Sequence, residues 1–377
     1  MTRSLPRLMI AMEFPSLLGG EQSLLAVARA LRSRFEFLFA VPPGGALEEQ
    51  LIRDRFRLVP FSWRDDQGKR KSDEELLAAW HSLLATEKPD LLHANSLTLA
   101  RFFARHRDQF PIPITGHLRD QMRISKKAVE DLQHLDGLIS VSDATRDYYV
   151  QQGIAPQQIQ RIYNGIELDS HVVRTDLRSE LGLNQQVKLA AQIGQVCLRK
   201  GQDLLISSWL KLLPDFPEWH LVVIGERYSG KQESRDYFTG LVKELENGSE
   251  DPRVHFLGYR TDVRELLPQI DLLIHPARQE PFGRVLLEAA AAGQAIVATS
   301  VGGTEEMLEG ERSVKLVPPD HKELLIEACR DLMADATLRN KLGQAAQGRI
   351  ADLFLLGRSA EEHHAFWSSL LCPRSDP

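Results

Sequence analysis

Short apolar segments alternate with longer amphipathic segments along almost the whole chain. This alternation is typical of buried parallel strands that are separated by helices covering both faces of a sheet. In the first part of the chain the pattern predicts strands at residues 7–12, 35–41, 56–61, 90–95, 112–117, 137–142 and 159–165. In the second part it predicts strands at residues 187–194, 220–226, 254–258, 271–277, 295–300 and 313–318.

The two sets of strands predict two doubly wound domains, and the fold class is therefore α/β with two Rossmann-like parallel sheets. The chain has 377 residues, enough for two domains of roughly 150–200 residues each. The polar stretch 167–186 has no strand pattern, so we place the crossing between domains there. We expect domains at 1–168 and 169–355, with a final helix at 356–377 that crosses back to the first domain.

The composition is that of an ordinary globular protein, with 43% hydrophobic and 26% charged residues and a net charge of −6. It gives no indication of nucleic acid as a partner. The three cysteines, Cys197, Cys329 and Cys372, lack the spacing of a zinc site, which favours a reducing compartment. The first apolar run stops at Glu13, too short for a secretory signal or a membrane span. We expect a cytoplasmic protein, with a peripheral contact at the inner membrane face left open.

Glycines and helix starts follow several of the predicted strands. These positions are Gly19-Gly20, Gly194, Lys200-Gly201, Pro281-Phe282-Gly283 and Gly302-Gly303. Ligands of open parallel sheets bind beyond the carboxyl ends of the strands, and the free N–H groups of a helix start attract anions. The loops therefore predict one phosphorylated ligand held in a cleft between the two domains.

Two glutamates bracket the Pro-Phe-Gly segment. Glu280 precedes a proline and so belongs to a loop, whereas Glu288 lies within the following helix. A carboxylate at position 288 can accept hydrogen bonds from the two hydroxyls of a ribose, and Glu280 can accept them from a second sugar. An isolated pair with this spacing is explained more simply by the helix dipole and a solvated glutamate. The neighbouring glycine loops favour a ligand site.

Segments spread over nearly the whole chain resemble, in order, those of one enzyme family. They are GGE (19–21), TGH (115–117), VSDAT (141–145), IYNGIE (162–167), IGQ…RKG (193–201), VVIGE (222–226), FLGYRTDVRELL (256–267), the E-x7-E of 280–288 and AIVATSVGGTEE (295–306). The chain resembles the retaining glycosyltransferases of family 4, also called glycosyl transferases group 1. The resemblance implies the GT-B fold and the transfer of a hexose from a nucleotide-sugar donor.

The resemblance also implies a role for each matching residue. Glu288 would bind the ribose, Glu280 the donor hexose and Lys200 the diphosphate, while His117 would lie beside the anomeric carbon. His117, Glu280 and Lys200 are accordingly the predicted catalytic residues. The other implied donor-binding residues are Gly19, Gly20, Arg199, Gly225, Tyr259, Arg260, Phe282, Gly283 and Arg284.

One position departs from the family pattern. The family usually has arginine after the glycine of the IG motif, where this chain has Gln195. The change removes one of two cations expected at the diphosphate, and we expect Arg199, beside Lys200, to replace it in part.

The first domain carries candidate acceptor residues. His93 lies at the end of a predicted strand, and Arg119 and Arg123 begin a basic run just after His117. An acceptor phosphate, a membrane contact and a solvated surface remain alternatives for this run.

The predicted reaction is same-face transfer with retention of the anomeric configuration. Lys200, Arg199 and helix N-termini can stabilise the charge that develops on the leaving diphosphate. The chain has no Asp-x-Asp motif, so we expect no metal and no other cofactor. No pair of carboxylates is obviously placed for double displacement.

Three other functions remain open at this point. A nucleotide-sugar epimerase has the same architecture, and Gln195 is compatible with a non-catalytic sugar-nucleotide-binding protein. An NAD-linked oxidoreductase is disfavoured because the loop EFPSLLGGEQ lacks a tight G-x-G-x-x-G. We expect a UDP-sugar as donor, with GDP as the alternative. The acceptor is left open among lipid-linked, polysaccharide and small molecules.

Overall fold

A computed structural model of the chain describes residues 5–168, 175–227, 232–247 and 252–371. The chain divides into two compact units. The N-terminal unit comprises Met1–Gly165 together with Leu356–Pro377, and the C-terminal unit comprises Ile166–Leu355.

Strands and helices alternate in both units. The strands are β1 Arg7–Ala11, β2 Glu36–Val41, β3 Arg57–Pro60, β4 Leu91–Ala94, β5 Ile114–Leu118, β6 Gly137–Ser140, β7 Ile159–Arg161, β8 Lys188–Ile193, β9 Trp219–Ile224, β10 Val254–Gly258, β11 Leu272–His275, β12 Ile296–Thr299 and β13 Lys315–Val317. The helices are α1 Gly19–Ala30, α2 Ala46–Arg53, α3 Asp73–Glu87, α4 Leu97–Arg105, α5 Lys126–Leu132, α6 Asp143–Val150, α7 Leu177–Glu180, α8 Gln202–Leu212, α9 Gln232–Asn247, α10 Val263–Leu266, α11 Arg284–Ala291, α12 Thr304–Leu308, α13 Lys322–Ala334, α14 Ala336–Leu353 and α15 Leu356–Leu371.

Every strand that the apolar pattern predicts is present, and most are shorter than predicted. The largest difference is at β7, which was predicted to reach residue 165 and ends at Arg161. This strand lies at the edge of its sheet and pairs with β6 only, so fewer backbone bonds hold its end.

Each unit contains one parallel sheet. The N-terminal sheet has the order β3-β2-β1-β4-β5-β6-β7, and the C-terminal sheet has the order β10-β9-β8-β11-β12-β13. In both sheets the chain first winds outward in one direction and then returns to wind outward in the other. The reversal separates β1 from β4 and β8 from β11, and such switch points are where ligands bind in open α/β sheets.

Two apolar layers cover the N-terminal sheet. One contains Trp80 and Phe103 from α3 and α4. The other contains residues of α1 and α15, and Trp367 of α15 is fully buried against the rings of Phe35 and Phe37. The last described helix is thus part of the core of the N-terminal unit.

In the C-terminal unit, residues of α8 and α13 pack together against the sheet in one apolar cluster, which includes Trp209 of α8 and Trp219 of β9. In the described part of the chain, none of the helices is both long enough and apolar enough to span a membrane.

Candidate active site

The ends of strands β8, β9 and β10 contact one another through the backbones of three glycines. The N–H of Gly225 donates to the carbonyl of Gly258 at 2.8 Å. Gly225 has a φ of 140°, and a Cβ at this position would lie 1.9 Å from the carbonyl oxygen of Gly194. Only glycine permits this approach. The predicted donor-binding residue Gly225 therefore lies where the backbones of three strand ends are in close contact.

Gly201 places the start of α8 against the loop that follows β11. Its φ is 70°, and a Cβ would lie 2.0 Å from the carbonyl oxygen of Pro276. Because Lys200 immediately precedes this glycine, the contact brings the lysine to the end of the neighbouring strand.

Lys200 and Glu280 form a buried ion pair there, and His275 completes it. The Nζ of Lys200 donates to Oε2 of Glu280, and Nε2 of His275, at the end of β11, lies 2.8 Å from the same oxygen. Burial by itself raises the pKa of the Glu280 carboxyl, but the Lys200 ammonium and the His275 hydrogen bond hold it well below its usual value. Glu280 is therefore a carboxylate at neutral pH.

The two oxygens of Glu280 have different environments. Oε2 accepts both hydrogen bonds, whereas Oε1 has no partner among the described residues. The N–H of Gly303 donates to the main-chain carbonyl of Glu280 at 3.1 Å. The Gly302-Gly303 loop after β12 therefore contacts the same residue. The arrangement leaves one anionic oxygen able to accept a hydroxyl.

His275 is a site residue that the sequence analysis missed. Burial lowers its pKa, and the neighbouring Lys200 adds to this, although Glu280 acts in the opposite direction. The histidine is therefore neutral, and because a carboxylate only accepts, its proton lies on Nε2. The available signal was a histidine near the end of the predicted strand 271–277, five residues before Glu280.

Helix α11 begins as predicted, with Gly283 as its N-cap at a φ of 92°. Glu288 lies one turn into the helix, where Nε of Arg284 donates to its Oε1 at 2.9 Å. Nε of Arg264 lies 3.5 Å from the same oxygen. Phe282 is buried and its ring lies 5.9 Å from that of Phe354. Glu288 is thus held in place by two guanidinium groups.

The remaining predicted residues of the C-terminal unit are Arg199, Tyr259 and Arg260. Arg199 belongs to the short turn that ends at Lys200. Tyr259 is exposed, and its N–H lies 3.3 Å from a carboxylate oxygen of Glu226. Arg260 forms ion pairs with Glu180 at 2.5 Å and with Asp262 at 2.7 Å, so its guanidinium is engaged by carboxylates.

In the N-terminal unit, Arg119 lies over the start of α1. A Cβ on Gly20 would lie 3.0 Å from Cδ of Arg119, and Gly19 is the first residue of the helix. Nε of Arg119 donates to Oδ1 of Asn95 at 2.9 Å. The segments that follow β1, β4 and β5 therefore meet at this arginine, while Arg123 lies exposed further along the last of them.

His117 and His93 lie within strands β5 and β4, and both side chains are fully buried. Nδ1 of His117 lies 3.1 Å from Nη2 of Arg119 and 3.3 Å from Nε2 of His93. The structure thus brings these two histidines and Arg119 together. His117, the predicted catalytic histidine, is thus buried within β5, and Arg119 is the first residue after the end of this strand.

The part of the chain that the structure describes contains no group of three or more His, Cys, Asp or Glu side chains that could hold a metal ion. Cys197 and Cys329 are free thiols, whereas Cys372 lies outside the described residues.

Two family models match the chain in succession. Residues 173–349 match the model of the Glycosyl transferases group 1, and residues 18–170 match that of Glycosyltransferase Family 4. The chain belongs to the group 1 glycosyltransferases. The resemblance seen in the sequence and the α/β fold class with two Rossmann-like parallel sheets are both confirmed.

Several proteins are similar to this glycosyltransferase. The lipopolysaccharide core biosynthesis mannosyltransferase LpsB of Rhizobium meliloti (strain 1021) is 25% identical over 374 residues, which cover 96% of this chain and 97% of LpsB. The lipopolysaccharide glucosyltransferase WaaG of Escherichia coli (strain K12) is 32% identical over 190 residues, which cover 49% of this chain and 48% of WaaG.

Solved structures share the fold of this glycosyltransferase. Anabaena Alr3699/HepE in complex with UDP-glucose has a TM-score of 0.84 at 22% identity, covering 97% of this chain and 100% of that chain. WaaG has a TM-score of 0.70 at 20% identity, covering 95% of this chain and 99% of that chain.

Proposed function

We propose that this glycosyltransferase moves a hexose from a nucleoside diphosphate sugar to an acceptor hydroxyl, with retention and without a metal ion. A UDP-sugar is the favoured donor, and a GDP-sugar is the alternative. The observation that carries the proposal is the buried group of Lys200, Glu280 and His275 at the switch point of the C-terminal sheet.

In this proposal, donor binding redistributes the bonds of Lys200. The lysine neutralises Glu280 in the free enzyme, and an incoming diphosphate supplies a second anion for the same ammonium. His275 keeps its hydrogen bond to Oε2 of Glu280, and Oε1 accepts a hydroxyl of the donor hexose. Glu288, oriented by Arg284, accepts the ribose hydroxyls.

The transfer step needs no side chain as a general base. The acceptor oxygen bonds to the anomeric carbon on the face from which the diphosphate leaves, and the leaving phosphate oxygen takes the acceptor proton. Lys200, Arg199 and the N–H groups at the start of α11 stabilise the departing charge. These positive groups take the place of a metal ion in the proposal, and the roles predicted for His117, Gly19 and Gly20 stay predictions.

We propose a glycan acceptor of the kind assembled in lipopolysaccharide. The names of LpsB and WaaG support this class of acceptor and suggest mannose or glucose as the transferred sugar. The UDP-glucose complex of HepE supports a uridine donor.

The function can be tested with purified enzyme, truncated lipopolysaccharide and UDP- or GDP-linked mannose and glucose. We expect one donor to be consumed only when acceptor is present, with activity unchanged by EDTA. Consumption of donor and formation of its epimer without acceptor would identify an epimerase. Nucleotide binding without turnover of any donor and acceptor pair would identify a binding protein.

A further inference from the structure

Three histidines lie together inside the N-terminal unit. His93 and His117 lie on neighbouring strands, and His363 lies on α15. Their side chains are at most 2% exposed, and the ring centroids of His117 and His363 are 6.0 Å apart. The proposed reaction gives His93 and His363 no role.

The partners of His117 fix the position of its proton. A guanidinium only donates, so Nδ1 of His117 accepts from Nη2 of Arg119, 3.1 Å away. The proton of a neutral His117 is therefore on Nε2. Nε2 of His93 lies 3.3 Å from the same Nδ1, and it must also donate because two bare nitrogens would repel each other.

The same reasoning extends the chain of hydrogen bonds in both directions. Nδ1 of His93 carries no proton, so it accepts from the hydroxyl of Thr115, 2.8 Å away. On α15, Nδ1 of His363 lies 2.8 Å from the carbonyl oxygen of Ser359. A carbonyl only accepts, so His363 carries its proton on Nδ1 and its Nε2 is a bare acceptor.

These assignments leave one buried donor and one buried acceptor on adjacent rings. Nε2 of His117 and Nε2 of His363 are both buried, and neither has a hydrogen-bond partner among the described residues. An unpaired buried polar atom is costly. A hydroxyl is the group that can accept from the first nitrogen and donate to the second.

We propose that Thr115, His93 and Arg119 lock His117 in the Nε2–H form, and that His117 and His363 together bind one hydroxyl oxygen. His117 is then a hydrogen-bond donor and not a proton acceptor. With the oxygen in place, donation runs in one direction from Thr115 through the three rings to Ser359. This hydroxyl belongs either to a water molecule or to a sugar of the substrate, and only the second source rests on the proposed function.

The three imidazole rings must be neutral for these hydrogen bonds to form, and their surroundings favour the neutral form. Burial, followed by the charge of Arg119, holds the pKa of His93 and of His117 well below its ordinary value. Burial also lowers the pKa of His363 to about 4.

Long-range ¹H–¹⁵N spectra of the full chain, labelled at histidine and recorded at pH 7, report each tautomer directly. We expect the Nε2–H form for His93 and His117 and the Nδ1–H form for His363, with assignment by single His→Gln variants. Arg119→Leu removes the donor that fixes Nδ1 of His117 and should produce a mixture of tautomers at His93 and His117. Arg123→Leu, at an exposed position on the same loop, should not. An Nδ1–H or charged His117 in the wild-type spectrum would overturn the proposal.

A crystal structure at high resolution identifies the oxygen. A water within hydrogen-bond distance of both Nε2 atoms, together with ¹⁵N signals that nucleotide sugars leave unchanged, supports the site and assigns it to water. Shifts of both Nε2 signals when a nucleotide sugar is added support the site and assign it to the substrate. No oxygen at the site in the free crystal and no shift with any donor would refute the site, and the spectra of the free protein stay informative if the chain proves not to transfer sugars.

Discussion

Nε2 of His275 lies 2.8 Å from the Oε2 atom of Glu280, the oxygen that also accepts from Lys200. The bond joins the end of a central strand to the loop that precedes α11. It leaves Oε1 of the same carboxylate available, so the fold orients Glu280 before any donor binds.

Replacing His275 tests this orientation. His275→Leu removes a hydrogen bond to a charged group, which typically contributes about 1.5–3 kcal/mol. We expect kcat/KM to fall roughly 10- to 100-fold, with most of the loss in kcat, because the carboxylate loses its fixed position. Initial rates with the natural donor provide the measurement.

His275→Gln is the matched control, because its amide N–H can reach the same oxygen. It should recover at least part of the lost rate. Equal rates for the leucine and glutamine variants would show that the hydrogen bond is not what matters at this position.

Glu288 provides a separate test of ribose binding. Glu288→Ala should weaken the binding of UDP or GDP by about 2 kcal/mol, the scale of hydrogen bonds to a charged group. The variant also leaves Arg284 and Arg264 without this carboxylate. Titration calorimetry measures the change, and 2′,3′-dideoxyribose nucleotides serve as the control ligands. Removing the two ribose hydroxyls from the nucleotide should weaken its binding to the wild type more than its binding to the variant. If the loss of affinity is the same for both proteins, Glu288 does not contact the ribose.

Gly201 links the fold to the site. Gly201→Ala places a Cβ against the carbonyl oxygen of Pro276. Gly182 has a similar φ, 66° compared with 70° for Gly201, but a Cβ there meets no atom within 4 Å. Both changes carry the cost of a left-handed alanine, about 1–2 kcal/mol. We expect Gly201→Ala to lower the free energy of unfolding by at least about 2 kcal/mol more than Gly182→Ala. Urea unfolding followed by fluorescence compares them, and equal losses would mean that the close contact is not structurally important.

The buried histidines predict a loss of stability in acid. Burial lowers the pKa of His363 to about 4 from an ordinary value near 6.5, so between these values the unfolded chain binds a proton that the folded chain does not. Stability therefore falls as the pH is lowered through this window, by roughly 3 kcal/mol for this one group. His363→Phe should reduce the pH dependence of Tm, and the exposed His134→Gln should leave it unchanged. If the pH dependence of Tm is unaltered in His363→Phe, the protonation of His363 is not a cause of the loss of stability in acid.

The fold could be predicted from the sequence because its strands are nearly continuous apolar runs. The glycine loops and the positions of Glu280 and Glu288 could also be predicted, since the features lie close together in the chain. The pairing of Lys200 with Glu280 was not predicted, because it depends on how deeply the carboxylate is buried. The contact between His117 and His363 joins residues far apart in the sequence, and neither lies in a motif that indicates the other.

The structure of the enzyme with its donor tests the central claim most directly. We predict that the diphosphate lies within hydrogen-bond distance of Nζ of Lys200, that Oε1 of Glu280 accepts a hydroxyl of the hexose, and that Oε2 keeps its bond to His275. A donor bound elsewhere on the chain, or bound with Glu280 still contacting only Lys200 and His275, would contradict the account.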